Sequence, residues 1–227
     1  MATRTAGKPP RPRTSGDADT LRDYRAKRDF RHTPEPAAAP AEGAATRPST
    51  TDRFVVQRHR ASSLHYDLRL EIDGVLVSWA VPRGPTLDPG QRRLAVRVED
   101  HPVEYFDFEG VIPRQQYGAG DVIVWDWGSY QADPSTPDPG AAINDGEFKF
   151  RLDGEKLSGS FVLIRTAGFG RRRDTAQGPL RQKWLLIHRR DETAVEGWNA
   201  EEHPRSVKTG RTNDEVAAGR RARRRRS

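Results

Sequence analysis

The 227-residue chain has no cysteine, which excludes a disulfide framework and any thiolate metal site. The absence is compatible with a reducing cytoplasm. No run of about 18 apolar residues occurs, so no membrane-spanning helix is expected. The N-terminus, MATRTAGKPPRPRTSG, lacks the apolar stretch of a secretory signal. Hydrophobic residues are sparse, 34% against 31% charged, so part of the chain is expected to stay unpacked. Acidic residues are outnumbered, 32 against 39 Lys and Arg, and the net charge of +7 favours a polyanionic partner such as nucleic acid.

What is present falls into three parts. Residues 1–50 read as a flexible basic arm rich in Pro and Ala, with PPRPR at 9–13 and PEPAAAPAEGAA at 34–45. A short helix around Thr20–Arg31 would put Leu21, Tyr24 and Arg28 on one face. Residues 51–193 change texture to short alternating or apolar runs between turn residues, the pattern of an all-β domain. The expected strands are Phe54–Arg60, His65–Ile72, Val75–Val81, Arg93–Val98, Glu104–Phe108, Asp121–Trp127, Glu147–Leu152, Ser160–Arg165 and Lys183–His188. Asp73-Gly74 is a two-residue hairpin signal, and Asp153-Gly154 marks another turn. Residues 133–146 and 167–178 read as loops, the second carrying Arg171, Arg172 and Arg173. With no long amphipathic helix between the runs, a compact antiparallel β-barrel of about eight strands fits best. Residues 194–227 read as a basic, largely disordered tail ending GRRARRRRS, suited to nonspecific phosphate contacts.

The most informative stretch is HRASSLHYDLR at 59–69. It holds a His-x5-His-x-Asp pattern followed by Arg69. Strand residues i and i+2 share a face, so His65, Asp67 and Arg69 project together, away from Tyr66, Leu68 and Leu70. Two imidazoles and a carboxylate suit a divalent metal, and a nearby guanidinium suits a phosphate. Gln57 and His59 share a face by the same parity. Counted onward from Arg93, parity adds Arg93, Glu99 and His101 to the polar side, with Tyr105 soon after. A solvated strand face would carry Lys, Glu, Thr and Ser, whereas three of the chain's six histidines fall in this set. Two other readings fit parts of the pattern. One is a two-histidine-one-carboxylate metalloenzyme acting on a small molecule, and the other a non-catalytic factor that binds DNA ends through its basic arms.

FVVQRHRASSLHYDLRLE, WAVPRGP, EDHPVEYFDFEGVIP, YGAG, VIVWDWG, FRLDGEKLSGSFVLIRT and KWLLIHRRD, together with LRDYRAKRDFRHTPEP in the arm, resemble the 3′-phosphoesterase domain of bacterial ATP-dependent DNA ligase D in the same order. The resemblance implies a β-barrel enzyme that uses Mn2+ to remove a 3′-terminal ribonucleoside and then the remaining 3′-phosphate. It implies His59, His65 and Asp67 as metal ligands, and Arg69, Arg93, His101 and Tyr105 as phosphate-binding and catalytic residues. Gln57, Arg83 and Glu99 follow as supporting or substrate-contacting residues. It further implies DNA or DNA/RNA 3′ ends as substrate, Ku and a separate DNA ligase as partners in end joining, and a cytoplasmic, nucleoid-associated location. Arg83 stands where the family commonly has Lys, and residues 113–116 lack an expected acidic residue. The chain's length and its start at Met1 suggest a stand-alone form.

Overall fold

The computed structural model describes residues 20–38, 52–166 and 182–222. The Arg171–Arg173 loop and the terminal run Arg223–Arg226 lie outside them. Among these residues ten strands form: β1 (Arg53–Arg60), β2 (Leu64–Ile72), β3 (Val75–Val81), β4 (Arg92–Arg97), β5 (His101–Pro102), β6 (Gly110–Ile112), β7 (Gly120–Ala132), β8 (Glu147–Gly154), β9 (Ser158–Arg165) and β10 (Lys183–His188). Three short helices accompany them: α1 (Arg22–Ala26), α2 (Pro139–Asp145) and α3 (Asn213–Ala217).

Asp73 and Gly74 both have positive φ, 50° and 81°, the signature of the type I′ turn that joins β2 to β3. Pairing runs β1-β2-β3-β4-β10-β9-β8-β7, and β7 pairs back onto β1. The eight-stranded antiparallel barrel expected from the strand pattern is therefore closed, with β5 added to β3 and β6 to β7. Inside it, Leu68, Leu70, Trp79, Trp125, Phe148, Phe150, Phe161 and Trp184 are buried. Burial of such side chains contributes about 1.5–3 kcal/mol each.

The outer face of β1, β2 and β7 is covered as well. Tyr24 of the arm packs there with Leu76, Tyr105, Phe108, Ile112 and Val122, and Val207 packs on Val55 and Val124. Polar residues on this face therefore lie between two apolar layers, where each must find a partner.

Four expectations change. The Glu104–Phe108 run is not a strand. After the extended Pro102, Val103–Tyr105 form a 3-10 turn, and the amides of Phe106 and Phe108 bond back to Val103 and Tyr105. Within 133–146, α2 is started by the Asp138 cap and Pro139 and ended by Gly146 at φ 98°. The arm is not wholly separate, since residues 20–38 pack on the barrel through Tyr24. The last change is at the C-terminus, where residues 194–222 fold against the barrel. Val207 and Val216 are buried, Val207 N–H donates to Val124 O, and Trp125 Nε1 donates to His203 O at 2.7 Å. A capping box between Thr212 and Glu215 starts α3. Glu109, whose side chain is 2% exposed, accepts from Ser206, Thr209 and Arg211 of this segment. No helix among the described residues is long and apolar enough to cross a membrane.

Candidate metal and phosphate site

His59 on β1 and His65 and Asp67 on β2 are brought together by a three-residue loop between the strands. Their register pairs His59 with His65 and Gln57 with Asp67. One nitrogen or oxygen from each lies within 4.8 Å of the others. The two imidazole rings are 4.7 Å apart. His59 Nδ1 is 3.8 Å from Asp67 Oδ2, and His65 Nε2 is 3.7 Å from Asp67 Oδ1. Each ring's other nitrogen donates to a backbone carbonyl: His59 Nε2 to Gly118 O at 2.8 Å, and His65 Nδ1 to Ser63 O at 3.1 Å. Both imidazoles thus turn a lone pair toward Asp67, the orientation that metal-ligating histidines take from such outer partners. Burial opposes ionisation of Asp67, but the charge of the adjacent Arg69 outweighs it and holds the carboxyl below the usual range. The set fits a divalent cation.

Arg69 is buried beside these ligands. It donates to Gln57 Oε1 at 2.8 Å, Ser78 Oγ at 2.9 Å and Asp67 Oδ2 at 3.1 Å, and its Nη1 lies 2.9 Å from His101 Nδ1. A guanidinium has five N–H donors, of which Gln57, Ser78 and Asp67 take three; His101 Nδ1 also lies 2.9 Å from the Glu99 carbonyl, to which it donates, so N–H groups of Arg69 are left over. Its Cζ lies 5.1 Å from the centre of the Tyr105 ring. Gln57 is fully buried and donates to the carbonyls of Tyr105 and Phe108. It therefore holds Arg69 in place. The Tyr105 hydroxyl donates to Glu35, so that residue supports Arg69 and His101 by packing.

Residues 20–38 roof the cluster, which the sequence reading did not anticipate. Arg28 donates to Glu35 at 2.9 Å and to Glu99 at 3.5 Å, and its Nη2 lies 3.4 Å from His101 Nε2. Lys27 donates to Glu99 at 3.2 Å. The available signal was the aromatic residues Tyr24 and Phe30 in an arm otherwise dominated by Pro, Ala and charge.

His101 stands between two guanidinium groups. Burial first, then the charges of Arg69 and Arg28, push it well below the ordinary histidine value. The neutral ring is thus the resident form. The unfolded chain takes up a proton here below about pH 6.5 and the folded protein does not. Stability therefore falls with pH below that value, by at most about 1.4 kcal/mol per pH unit. In protein prepared without divalent cations, His101→Asn should flatten the slope of unfolding free energy between about pH 5 and pH 6.5. An unchanged slope would show that the buried ring carries its proton.

Arg93 does not share the face of Asp67. Register places it opposite Leu186, with Ala95 opposite Trp184 and Arg97 opposite Trp79, so this face of β4 turns toward the barrel interior. The residue in line with Asp67 is Val96, across Ala80. Parity counted from Arg93 failed because β4 ends at Arg97. The chain then turns before β5 returns His101 beside Leu76. Arg83, in the turn after β3, and Arg93 stand at the same rim of the barrel as His65, one and two strands over. Burial and then Arg83 depress the pKa of Arg93. No hydrogen bond joins either arginine to the cluster among the described residues. A cavity of about 670 Å³ opens beyond Gly118, lined in part by Arg60, Ser62, Val111 and Arg114.

Residues 57–165 match the family model described as the DNA Ligase D 3′-phosphoesterase domain. The chain is 51% identical over 175 residues to a multifunctional non-homologous end joining protein LigD of Pseudomonas aeruginosa, covering 75% of this chain and 19% of the relative. A protein of the same name from Mycolicibacterium smegmatis is 47% identical over 158 residues, 66% of this chain and 20% of its own. The multifunctional non-homologous end joining DNA repair protein LigD of Mycobacterium tuberculosis is 47% identical over 153 residues, again 66% of this chain and 19% of its own. The chain thus spans about a fifth of the length of the curated relatives it matches.

Proposed function

Because the chain carries a domain of the DNA ligase D 3′-phosphoesterase family, we propose that it is a divalent-metal-dependent hydrolase that heals the 3′ ends of DNA or DNA/RNA strands. It removes a 3′-terminal ribonucleoside to leave a 3′-phosphate and then converts the phosphate to a 3′-hydroxyl suited to end joining. Mn2+ is the proposed cation, and Ku and a separate ligase are the proposed partners. The observation that carries this reading is the His59–His65–Asp67 set, with both imidazoles turned to one point beside the buried Arg69–His101–Arg28 cluster. The net charge of +7 adds to this reading, since it favours a polyanionic strand over a small molecule.

His59, His65 and Asp67 hold the cation, which when bound polarises the phosphoryl group and lowers the pKa of a water. The spare N–H of Arg69, with Arg28, neutralises charge that builds on the non-bridging oxygens. His101 enters neutral. A phosphate arriving beside the two guanidinium groups offsets their charge and lets the ring take a proton from solvent, which it then holds at or passes to the leaving oxygen. Arg83 and Arg93 repel one another at the rim, and a phosphate of the strand lying across them relieves that repulsion. Glu99 keeps Lys27 and Arg28 in position.

The test is to incubate the protein with manganese and a primer-template whose primer ends in one ribonucleotide. Shortening of the primer followed by loss of the 3′-phosphate is expected. A primer left intact sinks the proposal.

A further inference from the structure

Tyr117 belongs to neither the metal set nor the phosphate cluster, yet it stands between them. It precedes Gly118, whose carbonyl accepts from His59. Lys27 Nζ lies 4.8 Å and Arg28 5.7 Å from its ring centre, and these two cations reach Glu99 and His101. Tyr117 is 50% exposed, on a segment with no buried residue between 113 and 120. An open aromatic ring with cations against it, at the mouth of a phosphate site, is the combination with which proteins take single-stranded nucleic acid. The ring stacks on a base and the cations meet the backbone.

We infer that Tyr117 stacks on the nucleobase of a nucleoside flanking the reacting phosphate. The inference rests on the phosphoesterase reading above, and the base is that of either the leaving terminal nucleoside or the retained penultimate one.

The test compares the full chain with Tyr117→Ala and Tyr117→Trp by fluorescence anisotropy, using a labelled primer-template with a 3′-terminal ribonucleotide and no added metal. Tyr117→Ala should weaken binding about 5- to 150-fold, whereas Tyr117→Trp should bind about as well as the parent. The ring is exposed, so melting temperature should not move. Two further substrates lack the base at the terminal or at the penultimate nucleoside. At the stacked position, base removal weakens the parent but leaves Tyr117→Ala unaffected. If base removal at neither position distinguishes the two proteins, or if Tyr117→Ala binds like the parent, the inference is overturned. Turnover with manganese separates the failures. An inactive parent counts against the phosphoesterase reading, while an active parent matched by Tyr117→Ala in both steps and in binding counts against the stack alone.

Discussion

Asp67→Asn should lower manganese-dependent hydrolysis by more than about 100-fold. Loss of an outer partner of a metal-bound histidine already costs about 10- to 100-fold, and Asp67 stands at the centre of the set, within 3.8 Å of both imidazoles. Asn is chosen over Ala because it keeps the volume of Asp67 and an amide oxygen that can accept from the buried Arg69. It still removes the charge of a buried ion pair, a loss that costs about 3–5 kcal/mol, so the melting temperature of the variant is measured beside its activity. His65→Ala provides the cleaner companion. Its ring is partly exposed and its one hydrogen bond goes to the carbonyl of Ser63, so activity should fall as far with little change in melting temperature. Near-normal turnover with manganese in either variant would remove these residues from the metal set.

A chain ending after Glu192 should not form a stable barrel. It would lack Val207 and Val216, both buried, as well as Trp198, which packs on Trp125. At about 1.5–3 kcal/mol for each such side chain, the deletion removes on the order of 5 kcal/mol, comparable to the whole stability of many domains. It would also strand polar groups. Glu109 loses Ser206, Thr209 and Arg211, and Arg58 loses its bonds to Glu201 and Asn213. Arg58 and Arg60 flank His59 on β1, and Arg60 pairs with Asp214 of the same segment. Even where the shortened chain stays folded, the metal strand should be loosened. Thermal unfolding of the shortened and full chains decides the matter, and equal melting temperatures would refute it.

The parts of the site legible in the sequence were those written in one regular element. His65, Asp67 and Arg69 follow one another at the strand period, and a short loop folds His59 back beside them. The barrel was legible for the same reason, since its strands alternate and are separated by turn residues. Arg93 was misplaced because parity is a local rule that ends where a strand ends. The helix at Pro139–Asp145 was missed because seven residues are too few for a helical period to show. The segment after residue 194 escaped because it has no period at all. It is attached by scattered apolar side chains and by hydrogen bonds to Glu109, Arg58 and Val124. The roof provided by Arg28 and Glu35 was hidden by distance, since nothing local connects those residues to His101.

The two halves of the site differ in how far along the chain they must be gathered. The three metal ligands lie within one hairpin, residues 59–67, whose loop closes at little entropic cost. The anion cluster needs Arg28, Arg69 and His101 together, from the arm, β2 and β5, across sequence separations of 32 and 73 residues. Contacts of such separation form slowly. During folding, therefore, the hairpin carrying His59, His65 and Asp67 can take shape first, and the groups that meet the phosphate fall into place only when β5 and the arm dock.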